Sequence, residues 1–195
     1  MRYVLFAIVL VLCVSCSTSD SINMKTSKKD MVMENIFSRK SVRDYTDQQV
    51  SKETLELLVK AGMAAPSGKN VQPWSFVIVS DREVLDKMAE GLIYAKMLKK
   101  ARHAIIVCGD VDKSPYWYLD CSAASQNILL AIEAMGLGGV WTAAYPYDDR
   151  IQVVQDAIGL PKNIIPLNVI PVGHPKGMEK AKDKWDAEKV HWDKY

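Results

Sequence analysis

Ala64-Ala65-Pro66-Ser67-Gly68-Lys69-Asn70-Val71-Gln72-Pro73-Trp74 is the stretch that decides how the chain is organised. It separates a helical pattern, with Leu55, Leu58, Val59 and Gly62 on one face, from a β-branched run over residues 75–80. Pro66 and Pro73 fix φ and bias Ala65 and Gln72 toward extended backbone, while Gly68 tolerates conformations its neighbours avoid. Between these fixed points Ser67, Lys69, Asn70 and Gln72 offer hydrogen-bonding side chains beside the large aromatic Trp74. Two readings are open: a loop that grips a polar, partly aromatic ligand, or a helix-to-strand connection whose Pro, Ser, Gly and Asn only make turns.

Upstream, residues 30–37 have the spacing of a short helix with Met33, Ile36 and Phe37 on one face. It delivers the chain to Ser38-Arg39-Lys40-Ser41-Val42-Arg43-Asp44-Tyr45, where cations and hydroxyls are dense enough to clamp a phosphate or to form a solvated basic loop. Ser51 is placed to cap the helix that runs into the opening loop.

Downstream, Ser80-Asp81 caps a charged amphipathic helix expected to reach about residue 100, and residues 103–109 are apolar throughout, as in a central buried strand. Residues 110–118 read as a loop carrying Tyr116, Trp117 and Tyr118, placed to cover a flat ligand, meet a partner subunit or fill the core. Residues 120–135 form a helix apolar on nearly every face, which implies burial, often at a subunit interface. Gln126 and Asn127 interrupt that surface and must find partners, in neighbouring backbone or in ligand. Gly136-Leu137-Gly138-Gly139 ends the helix and leads into an extended segment, 140–144. A helix over 148–158, a strand over 166–172 and a polar tail anchored by Trp185, Trp192 and Tyr195 complete the chain. Helices alternating with a few short strands suggest an α+β or α/β sandwich with a small central sheet.

At 195 residues, 49% hydrophobic and 25% charged, the composition is that of an ordinary globular domain. The formal charge of +2 comes with no concentrated basic face, so no nucleic-acid partner is expected. Residues 1–15 read as a signal peptide: Arg2, a short apolar run, then small residues. Cys13-Val14-Ser15-Cys16 resembles a bacterial lipobox with Cys16 as the lipidated residue, although Cys13 stands where such sites usually have Leu. The alternatives are simple secretion and an uncleaved anchor. Export with membrane attachment through Cys16 alone is the expectation, with residues 16–29 as a flexible tether and 30–195 as the folded domain. An oxidising compartment permits a Cys108–Cys121 bridge, but their apolar settings favour two buried free thiols.

Several motifs fail. Five residues rather than four separate Gly62 from Gly68, and Asn70 rather than Ser or Thr follows Lys69, so there is no P-loop. The glycines at 136–139 lack the dinucleotide-binding order, and His103, His174 and His191 support neither a Ser-His-Asp arrangement nor a metal site.

Three separated pieces, 39–45, 65–76 and Gly136-Leu137-Gly138-Gly139-Val140-Trp141, resemble in order and spacing the FMN-dependent nitroreductase family of the compact single-domain type. The stop Pro171-Val172-Gly173-His174-Pro175 and the closing Val190-His191-Trp192 extend the resemblance over essentially the whole chain from residue 31. The resemblance implies an α+β three-layer sandwich, a small central mixed sheet flanked by helices, and an obligate homodimer with exchanged tails. It implies that Arg39, Lys40, Ser41 and Arg43 contact FMN phosphate and the ribityl–pyrimidine region, and that Pro66, Ser67 and Asn70 line the flavin. Backbone at Trp141, Thr142 and Ala143 would face the flavin edge, with Lys182 and Lys184 at the phosphate, Lys184 standing where the family often has Arg. The implied activity is NADH or NADPH oxidation with reduction of a nitroaromatic, quinone or related small aromatic acceptor, and no side-chain acid or base is required. A flavin-binding protein without nicotinamide turnover is the alternative, since an exported chain is far from cytosolic NAD(P)H.

Overall fold

Every residue from His103 to Gly109 is buried because β2 (His103–Asp110) runs through the middle of the sheet with protein on both faces. The computed structural model describes residues 27–195, so the signal peptide and Cys16 lie outside the described residues. The strand order is β1 (Trp74–Val79), β2, β5 (Ile164–Gly173), β3 (Gly138–Gly139), with β4 (Thr142–Ala143) also pairing with β5. Along β2, Ile105 and Val107 face one way, against Leu58, Ile128 and Ile132 of α2 (Lys52–Met63) and α4 (Trp117–Ala134). Ala104, Ile106 and Cys108 face the other, against Leu85, Met88 and Val154 of α3 (Arg82–Gly91) and α5 (Asp148–Ile158). The period-2 alternation of one strand thus builds both cores of a three-layer sandwich. Each fully buried Leu or Ile contributes about 1.5–3 kcal/mol.

All four strand pairings are antiparallel, where a mixed sheet was expected. The crossover from β2 through α4 to β3 lands with β5 between the two strands, so strands running the same way never become neighbours.

Caps set most helix starts. Ser51 accepts from Thr54 N, and Asp81 accepts from Glu83 N and Val84 N, each satisfying a first-turn donor. Ser27 accepts from Asp30 N, so α1 (Lys28–Ser38) begins inside the segment expected to be tether, taking in Lys28 and Lys29. α3 stops at Gly91, nine residues short of the expected end. Lys96 Nζ turns back to the Ala89 and Glu90 carbonyls at 2.8 and 3.1 Å, and a 3₁₀ turn, Lys96–Lys99, follows. α4 starts at Trp117, within the expected loop, because the Trp117 ring is buried against Gly109 while Tyr116 and Tyr118 stay exposed. α5 ends at Gly159, whose φ of 68° is the left-handed helix-ending conformation glycine adopts without strain.

Cys108 and Cys121 are free and buried, and Cys121 Sγ donates to the Cys108 carbonyl at 3.3 Å. Burial pushes both thiols up to about 12. Among the described residues no helix is long and apolar enough to cross a membrane.

Candidate functional site

The glycine pair of β3 explains where the cationic segment lies. Val42 N donates to Gly139 O at 3.0 Å, and a Cβ on Gly138 would fall 2.7 Å from Val42 Cγ1. The buried Val42 side chain therefore seats against a surface that only glycine leaves open, pinning residues 39–43 to the sheet margin. A cavity of about 400 Å³ then brings Arg39, Lys40, Ser41 and Arg43 together with Lys182 and Lys184 from the tail. Lys180 and Glu179 line it too, and neither is evident from the sequence pattern. A second cavity of about 740 Å³ shares Arg39, Lys182 and Lys184 and adds Phe37, Trp185 and Gln126. Asn127, by contrast, donates to Ala61 O at 3.1 Å, a backbone partner.

The charges are not equivalent. Lys40 Nζ lies 2.7 Å from Glu133 Oε1 with both side chains largely covered, so its charge is already answered. Arg39, Arg43, Lys182 and Lys184 have no such partner among the described residues. Glu179 Oε2 is buried without a hydrogen-bond partner, placing an acceptor among the cations. Guanidinium forks, ammonium groups and the Ser41 hydroxyl are a donor set suited to a phosphate with further acceptors attached.

The loop between α2 and β1 is stiff. Lys69, Asn70 and Gln72 all have positive φ, between 52° and 56°. Gln72 N donates to Ser67 Oγ at 3.0 Å, Gln72 Nε2 donates to Asn70 Oδ1 at 2.9 Å, and Gly68 N donates to Asp120 Oδ1 at 2.9 Å. Holding three non-glycine residues in the left-handed region costs about 1–2 kcal/mol each, which these bonds offset. Asp120 is a residue the sequence reading missed: an acid in the first turn of a helix looks like dipole compensation alone.

Pro66, Ser67 and Asn70 line neither cationic cavity, and the same holds for Trp141, Thr142 and Ala143. Trp141 packs on the core between α2, α4 and the sheet. Thr142 Oγ1 donates to Val169 O at 2.5 Å, which turns its side chain into the sheet, and Ala143 O accepts from Arg150 Nη1 at 3.4 Å. A single chain therefore assembles the cations but leaves the polar loop apart from them.

An antiparallel sheet between helical layers, with a cation-lined cavity beside a glycine pair, defines an α+β fold. The family model for the nitroreductase family matches residues 36–93 and 89–174, and the chain belongs to that family. A protein of Archaeoglobus fulgidus named "Putative NADH dehydrogenase/NAD(P)H nitroreductase" is 42% identical over 167 residues, covering 82% of this chain and 96% of its own. A crystal structure of a protein of the same name from Bacteroides thetaiotaomicron is similar at 61% identity and a TM-score of 0.83, over 84% of this chain and 98% of that one. A family structure from Desulfovibrio desulfuricans, solved in complex with FMN, is 30% identical with a TM-score of 0.74, over 84% of this chain and 97% of that one.

Proposed function

We propose that this protein is an FMN-dependent NAD(P)H oxidoreductase, acting as a homodimer with exchanged tails on nitroaromatic, quinone or related acceptors. The observation that carries this reading is the convergence of Arg39, Ser41, Arg43, Lys182 and Lys184 on one cavity. Their donors fit the phosphate and ribityl hydroxyls of FMN, and bound FMN supplies a ring that takes and gives hydride. Arg39 and Arg43 grip the phosphate end through paired donors, Lys182 and Lys184 add point charges, and Lys40, held by Glu133, shapes the wall. Pro66, Ser67 and Asn70 on the stiff loop, and backbone at Trp141, Thr142 and Ala143, line the ring. No side chain has to move a proton in this scheme; position, exclusion of water and charge are the protein's contribution.

That the loop residues line neither cation-lined cavity in one chain supports a site completed between two copies. So do the exposed apolar residues of α1, among them Met31, Ile36 and Phe37, and of the tail, Met178, Trp185 and Trp192. The N-terminal sequence supports export and lipid attachment at Cys16. Fluorescence titration with FMN tests the site. Arg39→Ala with Arg43→Ala should weaken FMN binding roughly a hundredfold or more, as expected for losing two charge-assisted donors. Unchanged affinity in the double variant overturns the assignment.

A further inference from the structure

A third cationic cavity takes in Asp44 and Tyr45, the residues that follow Arg43. Asp44 and Asp47 line it with Arg82, Lys99, Lys100, Arg102 and Lys176, five cations against two carboxylates, in about 280 Å³. Among the residues lining the two smaller cavities none is shared, so this is not an extension of the proposed flavin site.

Both carboxylates are already answered. Lys100 Nζ lies 2.9 Å from Asp44 Oδ1, and Arg102 Nη2 lies 3.1 Å from Asp47 Oδ1. Arg82 is held in place by the turn after α3: Nη1 donates to Ala101 O at 2.9 Å, Nη2 donates to Leu98 O at 2.5 Å, and Nη2 pairs with Asp86 at 3.0 Å. Lys176 is brought in by main-chain pairing, with Lys176 N donating to Asp44 O at 3.1 Å and Thr46 N donating to His174 O at 2.9 Å. Among the described residues, Lys99 and Lys176 have no carboxylate within ion-pair distance, and with Asp44 and Asp47 taken up by Lys100 and Arg102 the cavity keeps a net positive charge that Asp44 offsets only at longer range. Such an arrangement costs folding energy through self-repulsion unless an anion is bound. A volume of about 280 Å³ suits a compact phosphate-class anion.

We propose that this cavity binds a phosphate-class anion, either a free diphosphate group or the phosphate of an anionic lipid headgroup, with Lys99 and Lys176 as its unpaired contacts.

The test uses the full chain and two probes: inorganic pyrophosphate by calorimetric titration, and sedimentation with phosphatidylglycerol-containing vesicles against phosphatidylcholine vesicles. Lys99→Glu with Lys176→Glu should weaken one of the two by roughly tenfold or more, with binding falling as salt rises. Pyrophosphate binding lost in that variant identifies a free-phosphate site; a lost preference for phosphatidylglycerol vesicles identifies a headgroup site. Lys182→Glu with Lys184→Glu should leave the affected binding intact, which separates this cavity from the flavin site. Lys99→Gln with Lys176→Gln, checked by circular dichroism, repeats the result without charge reversal. The proposal is overturned if neither probe binds, if the Lys99 and Lys176 variants bind as the parent does, or if only the Lys182 and Lys184 variant loses binding.

Discussion

Asp120 Oδ1 accepts the Gly68 N–H at 2.9 Å, joining the first turn of α4 to the loop in which Lys69, Asn70 and Gln72 hold left-handed backbone. Asp120→Ala leaves that donor unpaired and should cost about 1–3 kcal/mol in urea unfolding. Asp120→Asn keeps an acceptor and should cost clearly less. Equal losses for the two variants would mean that the hydrogen bond does not hold the loop.

Lys69 has φ 53° and ψ 21°, a conformation glycine adopts freely and a β-branched residue resists. Lys69→Val should therefore lower stability by about 1–2 kcal/mol, while Lys69→Gly should hold or raise it. Thermal unfolding of the pair reads the difference directly, and a stabilising valine would contradict the backbone geometry.

His103 should make stability fall in mild acid. Val50 N donates to His103 Nε2 at 3.3 Å, which leaves the proton on Nδ1 to donate to Ser80 Oγ at 2.7 Å. The ring is neutral in this arrangement, and burial, with Arg102 nearby, lowers its pKa from the ordinary 6.5. The unfolded chain therefore binds the proton more readily. Stability is full above about 6.5 and declines as pH falls from there toward the lowered native value. Urea midpoints between pH 7 and 5 should fall more steeply for the parent than for His103→Gln, and parallel slopes would contradict this.

Much of the architecture was legible because it is local. Apolar continuity marked β2 as central, Ser51 and Asp81 marked helix starts, and the 148–158 period matched α5 in full. The antiparallel sheet was not legible, since strand direction depends on which neighbour a crossover reaches. The early end of α3 depends on Lys96 folding back, one rotamer among many for a long side chain. In the site, the cations at 39–43 were visible as a cluster and the tail lysines through the family resemblance, and the structure brings the two groups to one cavity. The Lys40–Glu133 pair and the Asp120–Gly68 bond span 93 and 52 residues, and no periodicity encodes contacts of that range.

Gly109 is where α4 closes on the sheet. A Cβ there would lie 2.4 Å from Trp117 Cε3 and 3.0 Å from Cys121 Sγ, inside side chains that have no room to retreat. Gly109→Ala should cost about 1–3 kcal/mol by overpacking. It should also speed labelling of Cys121 by a thiol reagent in native buffer, where the parent's Cys108 and Cys121 should stay protected until unfolding.

The central claim is tested most directly by anaerobic titration of the FMN-loaded protein with NADH and NADPH, following flavin absorbance. Stoichiometric bleaching by at least one of the two nucleotides is expected, with recovery of colour on adding a nitroaromatic or a quinone. A protein that takes up no FMN, or that holds FMN unbleached by either nucleotide, would contradict it.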